Sequence, residues 1–381
     1  MTLTACVTER HVNDEAAIPT PALLIDLATA ERNARRLGTY AADHGLGVRP
    51  HIKSHKSLRI AELQMEAGAV GLTVAKVGEA EVMAAATADL LVGYPALDHH
   101  RADRIGALAR DRQVRVAVDS QLACDVLARS ARSAGMDLGI LVDIDLGYRR
   151  TGVQGPQAAL ELAQHIDRTQ GLCLDGLFCF PGHVHGAPDE QAGELAALND
   201  ALGEVIGRWR QDGLEASIVS GGSTPTAFQS HLVPALTEIR PGTYIYNDWN
   251  CVAAGWSELD DCAARVACTV VSEAVPGKVV IDAGGKTLTY DPHCLQKHNK
   301  GDGPMGYGYV VEYPAARIIR LTEEHGEVDV SRCDDRPALG DRVHVIPNHI
   351  CPCVNLQEAC WLKGPDGSFE QARVDARGRL S

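Results

Sequence analysis

Between about residues 20 and 250 the chain alternates short β-branched runs with longer stretches rich in Ala, Leu, Glu and Arg, and this rhythm limits the fold more than any other property of the sequence. Repeated strand–helix units call for a parallel sheet with helices packed on it, because a parallel neighbour is reached only by a crossover connection. The candidate strands are ALLIDL (22–27), VRPHIK (48–53), GLTVAK (71–76), DLLVGY (89–94), VRVAVD (114–119), GILVDID (139–145), LDGLFCF (174–180) and SIVSGG (217–222). Between them lie segments such as ATAERNARRLGTYAADHG and EQAGELAALNDALGEVIGRWRQDG, whose apolar residues recur every three or four positions, as on an amphipathic helix. Eight strand signals favour a closed (β/α)8 barrel over an open doubly wound sheet.

After about residue 260 the pattern changes. VACTVVSEAV, KVVIDAG, YGYVVEY, RIIRLTE, DRVHVIP and EACWLK read as strands with few helices between them, an antiparallel β domain. The expected organisation is α/β: a barrel over residues 18–260 and a β domain over 261–381, to which residues 1–17 add. With 45% hydrophobic and 23% charged residues the chain has the makings of a buried core, and disorder is excluded. A formal charge of -14 argues against a nucleic-acid partner, since such binding rests on Lys and Arg neutralising phosphates. No apolar run of about 18 residues points to a membrane. The first 17 residues carry Glu9, Arg10, Asp14 and Glu15 where a signal core would be apolar, so a cytoplasmic location is expected. The 12 cysteines are scattered, as reduced buried residues are, except for Cys351 and Cys353 beside His349.

Candidate chemistry gathers where the barrel strands end, the face on which barrel enzymes build their sites. RPHIKSHK (49–56) puts Lys53 among Arg49, His51, His55 and Lys56; such crowding disfavours its ammonium form and leaves neutral amine to attack an aldehyde. A solvated basic turn has the same composition. SGGSTPT (220–226) offers close backbone approach at Gly221 and Gly222 and hydroxyls at Ser223, Thr224 and Thr226, suited to a phosphate, although a plain strand-to-helix turn uses similar residues. PGTYIYND (241–248) adds Gly242, Thr243 and Tyr244. In DLGYRRTG, Arg149 and Arg150 follow a strong strand, and an arginine here binds a cofactor ring or a substrate carboxylate, or else forms a surface ion pair. His183 and His185 of FPGHVHG, two apart on a segment expected to be extended, point the same way as an acid/base pair. In PNHICPCVN (347–355), His349 and Cys351 offer imidazole and thiolate to one metal, a combination that suits zinc; a reduced structural cysteine pair reads equally well.

These segments together resemble a family of pyridoxal 5'-phosphate (PLP) enzymes with an alanine-racemase-type barrel, which includes D-threonine aldolase and eukaryotic-type D-serine dehydratase. The resemblance runs through TPALLIDL, RPHIKSHKS, VAKVGEAEVM, VDIDLGYRRTGV, SGGSTPT, EEHG and PNHICPCVN, nearly the whole chain. It implies a Schiff-base lysine at Lys53 and a homodimer. It also implies a divalent metal, zinc or manganese, on His349 and Cys351. The candidate cofactor-binding set is Lys53, His51, Arg150, Ser220, Gly221, Gly222, Ser223, Thr224, Gly242, Thr243 and Tyr244, with Lys53, His183 and His185 as candidate catalytic groups. The implied substrate is a small β-hydroxy D-amino acid, and the leading expectation is aldolase-type cleavage to glycine and an aldehyde. The rival is dehydration of D-serine, D-threonine or 3-hydroxy-D-aspartate to a 2-oxo acid and ammonia, which HxC resembles more than the HxD of bacterial aldolases. A non-catalytic PLP-binding protein is the alternative from another class.

Overall fold

A computed structural model describes residues 10–291 and 306–381. The chain divides into two compact units, Ala34–Tyr244 with Gly378–Ser381, and Met1–Asn33 with Ile245–Arg377.

The first unit is an eight-stranded parallel sheet. Its strands are β1 (Gly47–Val48), β2 (Leu72–Val74), β3 (Asp89–Val92), β4 (Gln113–Val118), β5 (Leu138–Ile144), β6 (Leu172–Cys179), β7 (Ile218–Gly221) and β8 (Glu238–Ile239). Consecutive strands from β2 to β8 are neighbours, and β8 returns to β1 through the pairs Glu238–Gly47 and Ile239–Val48. The ring is joined between β1 and β2 by a single parallel bridge, His51–Thr73, with the Thr73 N–H donating to the Pro50 carbonyl at 2.9 Å. Both faces of these strands are covered, which is why they read as continuous Val, Ile and Leu runs. Inside the ring Leu91, Ala117, Leu141 and Phe178 form an apolar cluster. The helices are set locally. Ser120 caps Gln121–Ala134 by accepting the Ala123 N–H, and Gly135 ends that helix at φ 71°, a left-handed conformation that favours glycine.

Below the apolar layer the barrel is laced by charge. Arg49 Nε donates to both oxygens of Glu238 at 2.9 Å and its Nη1 to Asp89 at 2.6 Å, while Arg115 reaches Asp89 at 2.8 Å and Asp175 at 2.7 Å. These pairs tie β1, β3, β4, β6 and β8 across the floor. Each buried charge faces an opposite one, the condition under which burial is tolerable.

The second unit is a mostly antiparallel sheet. Its main path runs through His11–Val12, Phe369–Arg373, Ala359–Lys363, Ala22–Asp26, Ala264–Ser272, Lys278–Ile281, Gly326–Asp329 and Arg317–Leu321. Arg342–Pro347 pairs with Ala264–Ser272 and carries Gly308–Val310 on its other side. All six strand segments read after residue 260 are present; His11–Val12 pairs antiparallel with Phe369–Arg373, and residues 1–9 of the N-terminal segment lie outside the described residues.

One barrel strand was misassigned from sequence. ALLIDL, read as the first, lies in this second sheet, antiparallel to Ala264–Ser272 and parallel to Ala359–Lys363. Its residues Ala22 to Ile25 are all buried, so its pattern is the same as that of a parallel barrel strand. The eighth barrel position belongs instead to Glu238–Ile239, two residues too few to show any periodicity. No described helix is long and apolar enough to cross a membrane.

Candidate active site

Lys53 stands where the barrel's first strand gives way to a short turn, Ile52–Ser54. Ile52 and Ser54 are fully buried while Lys53 is exposed, so the turn directs the lysine alone out of the barrel wall. The Lys53 backbone N–H donates to His51 Nδ1 at 3.3 Å. Burial, then the charges of Lys53, Arg240, His55 and Arg150, hold His51 well below the usual imidazole range. The ring is therefore neutral, and because Nδ1 accepts, its proton sits on Nε2.

The expected crowd of free cations around Lys53 is dispersed by pairing. Arg49 belongs to the ion lattice of the floor. Lys56 forms a buried pair with Glu79 at 3.1 Å. His55 is driven down to about 4 by burial and hydrogen-bonds Gln64 Oε1 at 3.2 Å. Sequence adjacency overstated the crowding because these side chains leave the turn in different directions.

Lys53 opens into a cavity of about 160 Å³, lined also by His51, Gly93, Arg150, Phe178, Phe180, Gly222, Ser223, Thr224, Pro225, Arg240, Gly242 and Thr243. Two glycines let the loops close on it. Gly222 has φ +74°, and a Cβ there would stand 3.1 Å from Ile239; a Cβ on Gly242 would stand 3.0 Å from the His51 carbonyl and Ser54 Oγ. Ser223 and Thr224 follow Gly222, and the Ser223 N–H is held by Thr226 Oγ1 at 3.1 Å, which occupies the Thr226 hydroxyl inside the turn. Arg150 lies 4.7 Å from the Phe180 ring centre and 5.1 Å from that of Tyr148, a cation–π position. Asp145 shapes the loop before it by accepting from the N–H groups of Gly147 at 3.0 Å and Arg149 at 2.9 Å, the latter at φ 57°.

Of the sequence-derived set, His51, Lys53, Arg150, Gly222, Ser223, Thr224, Gly242 and Thr243 are thus brought to one cavity. Ser220, Gly221 and Tyr244 are not. Ser220 Oγ is taken up by Glu238 and Arg240, and a Cβ on Gly221 would meet Leu236 at 2.6 Å, behind the lining. Tyr244 points into the protein, its hydroxyl accepting from Gln64 Nε2 at 3.1 Å, and burial raises its pKa.

His183 and His185 do not point the same way. Their segment is a turn closed by Val184 N–H to the Pro181 carbonyl, not a strand; His185 is exposed, while His183 Nδ1 is buried with no hydrogen-bond partner among the described residues.

Arg240 is the main residue sequence reading missed. It is 5% exposed, lies 3.7 Å from the Phe178 ring centre, and burial lowers it to about 10, so it stays charged at neutral pH. Its position directly before Pro241–Gly242–Thr243 was the available signal. Asp143, on β5 inside the barrel, is raised to about 6 by burial, against the opposing effects of Thr151, Arg240 and Arg150.

In the second unit, Ile350–Leu356 is a helix with His349 at its N-cap and Cys351 in its first turn. His349 Nδ1 lies 2.6 Å from Asp291 Oδ2. Against burial, which lowers it, the hydrogen-bonded Cys351 and the carboxylates of Asp248 and Asp291 push His349 up to about 10. A hydrogen-bonded imidazole and thiol fit a soft divalent cation. Among the described residues no group of three or more His, Cys, Asp or Glu side chains is suited to a metal.

Residues 25–248 match the family profile of the alanine racemase N-terminal domain. The chain belongs to that family. This PLP-dependent family's barrel is followed here by a match to a serine dehydratase domain over residues 263–362. The chain is 29% identical to D-threonine aldolase of Arthrobacter sp over 95% of its own length and 94% of the relative's. It is 30% identical to D-threo-3-hydroxyaspartate dehydratase of Delftia sp. (strain HT23), over 93% and 96%. The crystal structure of D-threonine aldolase from Filomicrobium marinum superposes with a TM-score of 0.87 at 29% identity, over 97% of this chain and 98% of that one. For the hydroxyaspartate dehydratase, a cysteine-to-alanine mutant has been solved in a metal-free form.

Proposed function

We propose that this protein is a PLP- and divalent-metal-dependent lyase acting on small β-hydroxy D-amino acids, with aldolase-type cleavage to glycine and an aldehyde as its reaction. The observation that carries the reading is the cavity that gathers Lys53, the Gly222–Thr224 turn, the Gly242–Thr243 turn and two arginines at the C-terminal ends of parallel barrel strands. Full-length similarity to enzymes of both reaction types supports the lyase class.

The residues fit the cofactor. Among the described residues Lys53 is the only lysine lining the cavity, and it would hold the aldehyde carbon. Ser223, Thr224 and the backbone freed by Gly222 and Gly242 would take the phosphate, as Gly-rich turns with hydroxyls do. Arg150 and Arg240 keep positive charge at the wall, where anionic groups of cofactor and substrate are favoured. Neutral His51 offers an Nε2–H donor and does not compete with Lys53 for anions. His183 is the better placed of the two candidate bases, since its buried Nδ1 has no partner among the described residues whereas His185 Nδ1 lies 2.5 Å from the His183 carbonyl. Bound PLP would supply an electron sink for the pair released at Cα, and His349 and Cys351 would hold a divalent cation, which would supply Lewis-acid chemistry.

Dehydration remains the second reading, favoured by the Cys351 thiol, because the metal-free structure of the hydroxyaspartate dehydratase is of a cysteine mutant. The test is product identification with D-threonine and with 3-hydroxy-D-aspartate. Glycine and the matching aldehyde are expected. Ammonia and a 2-oxo acid would move the protein to the dehydratases, and turnover that neither chelation nor removal of PLP abolishes would overturn the proposal.

A further inference from the structure

The wall of the cavity rests on a row of residues inside the barrel. Parallel register aligns Asp143 of β5 with Phe178 of β6, Phe178 with Ser220 of β7, Ser220 with Glu238 of β8, and Glu238 with Gly47 of β1. Phe178 belongs to the barrel's interior cluster, so this row faces inward. Arg240 lies two residues beyond Glu238, on the same face, and turns back over Phe178. Its Nη1 donates to Ser220 Oγ at 2.7 Å and its Nη2 to the Cys179 carbonyl at 2.5 Å.

The hydroxyl between Arg240 and Glu238 has its polarity forced. Ser220 Oγ lies 2.5 Å from Glu238 Oε1, and its one proton goes to that carboxylate; its lone pair then accepts from Arg240. Glu238 is itself fixed by Arg49, whose Nε is 2.9 Å from both of its oxygens, and Arg49 by Asp89 at 2.6 Å. The chain of contacts runs from the barrel floor to the cavity wall without a break: Asp89, Arg49, Glu238, Ser220, Arg240. Ser220 and Glu238 are both buried, at 0% and 5% exposure, so no solvent replaces a lost partner.

From this we infer that Ser220, backed by Glu238, is a positioning residue for the cofactor site: it holds the Arg240 guanidinium over Phe178 and so aims its remaining N–H groups into the cavity. The inference deepens the PLP reading of that cavity and rests on it. Ser220 contacts ligand nowhere in this scheme; it acts through Arg240.

The test is a double-mutant cycle on the full-length protein, read by PLP titration of the apoprotein and by the pH titration of the bound cofactor's absorbance near the visible edge. Ser220→Ala is expected to weaken PLP binding about tenfold, the usual order for orphaning one buried charge-assisted donor, and to shift the pH midpoint of the band. Ser220→Thr, which keeps the hydroxyl, restores both. Arg240→Lys weakens binding as well, and the double variant Ser220→Ala with Arg240→Lys is no weaker than Arg240→Lys alone, because the serine has nothing left to position. Glu238→Gln, which leaves Ser220 and Arg240 in place, shifts binding in the same direction as Ser220→Ala and covers the case in which the alanine variant does not fold. Wild-type affinity and spectrum in a folded Ser220→Ala, or additive losses in the double variant, would overturn the inference while leaving PLP binding intact. A wild-type protein that forms no band with PLP would instead overturn the underlying reading, and this inference with it.

Discussion

Replacing Lys56 by methionine should unfold the barrel more readily while leaving the cofactor attachment chemistry of Lys53 in place. Lys56 and Glu79 are paired at 3.1 Å with side chains 5% and 2% exposed. Glu79 is also fixed by two backbone donors, Ala75 N–H at 2.8 Å and Lys76 N–H at 3.0 Å, so it cannot swing to solvent when its partner is lost. Removing one member of such a pair strands a buried charge, at a cost of about 3–5 kcal/mol. For a unit the size of this barrel each kcal/mol moves the midpoint by about 2–4 °C, so the melt should fall by on the order of 10 °C. Adding Glu79→Gln to Lys56→Met removes the stranded charge but keeps an oxygen for the two backbone donors, and most of the loss should return. Thermal melts of wild type, both single variants and the double variant decide the matter. A Lys56→Met protein melting within about 2 °C of wild type, or a double variant showing the sum of the two single losses, would refute the pairing argument.

Asp143, raised to about 6 by burial, binds its proton more tightly folded than unfolded, so the stability it contributes is full below about pH 4 and is lost as pH rises to about 6. Asp143→Asn should therefore gain on wild type across that window, by on the order of 3 kcal/mol at its upper end, in melts taken from pH 4 to 8; a gap that does not change with pH would contradict this. Gly222→Ala forces a Cβ into a φ of +74° and to 3.1 Å from Ile239, and should cost about 1–2 kcal/mol and weaken PLP binding by displacing Ser223 and Thr224; unchanged affinity in an equilibrium titration would contradict it. Cys351→Ser should lose bound zinc by elemental analysis while retaining PLP and its melting temperature, and full metal content would remove Cys351 from the ligand set.

The sequence carries most of the barrel in its β-branched runs, and the regions it misassigned share one cause. ALLIDL and a barrel strand are both continuous buried apolar segments, and composition does not reveal which sheet such a segment joins. Glu238–Ile239 is too short to signal anything, although it closes the ring. The site residues follow the same logic. Gly222, Ser223, Thr224, Gly242 and Thr243 were legible because turn residues announce close approach, whereas the fates of Ser220 and Tyr244 depend on partners about 20 and 180 positions away in sequence. A lone arginine ending a strand looks like any surface cation; for Arg240 the turn Pro241–Gly242–Thr243 directly after it is the one signal in the sequence, and burial over Phe178 is what sets it apart in the structure. The assumption of an extended segment aligned His183 with His185, and a single turn at Pro181–Val184 undoes that.

We propose that Lys53 holds PLP in the cavity at the C-terminal face of the barrel, and the absorbance spectrum of Lys53→Ala beside wild type, after each is loaded with PLP and freed of excess, tests this. Wild type should show a band near the visible edge that is absent from the folded variant. A band of equal intensity in Lys53→Ala would contradict the claim.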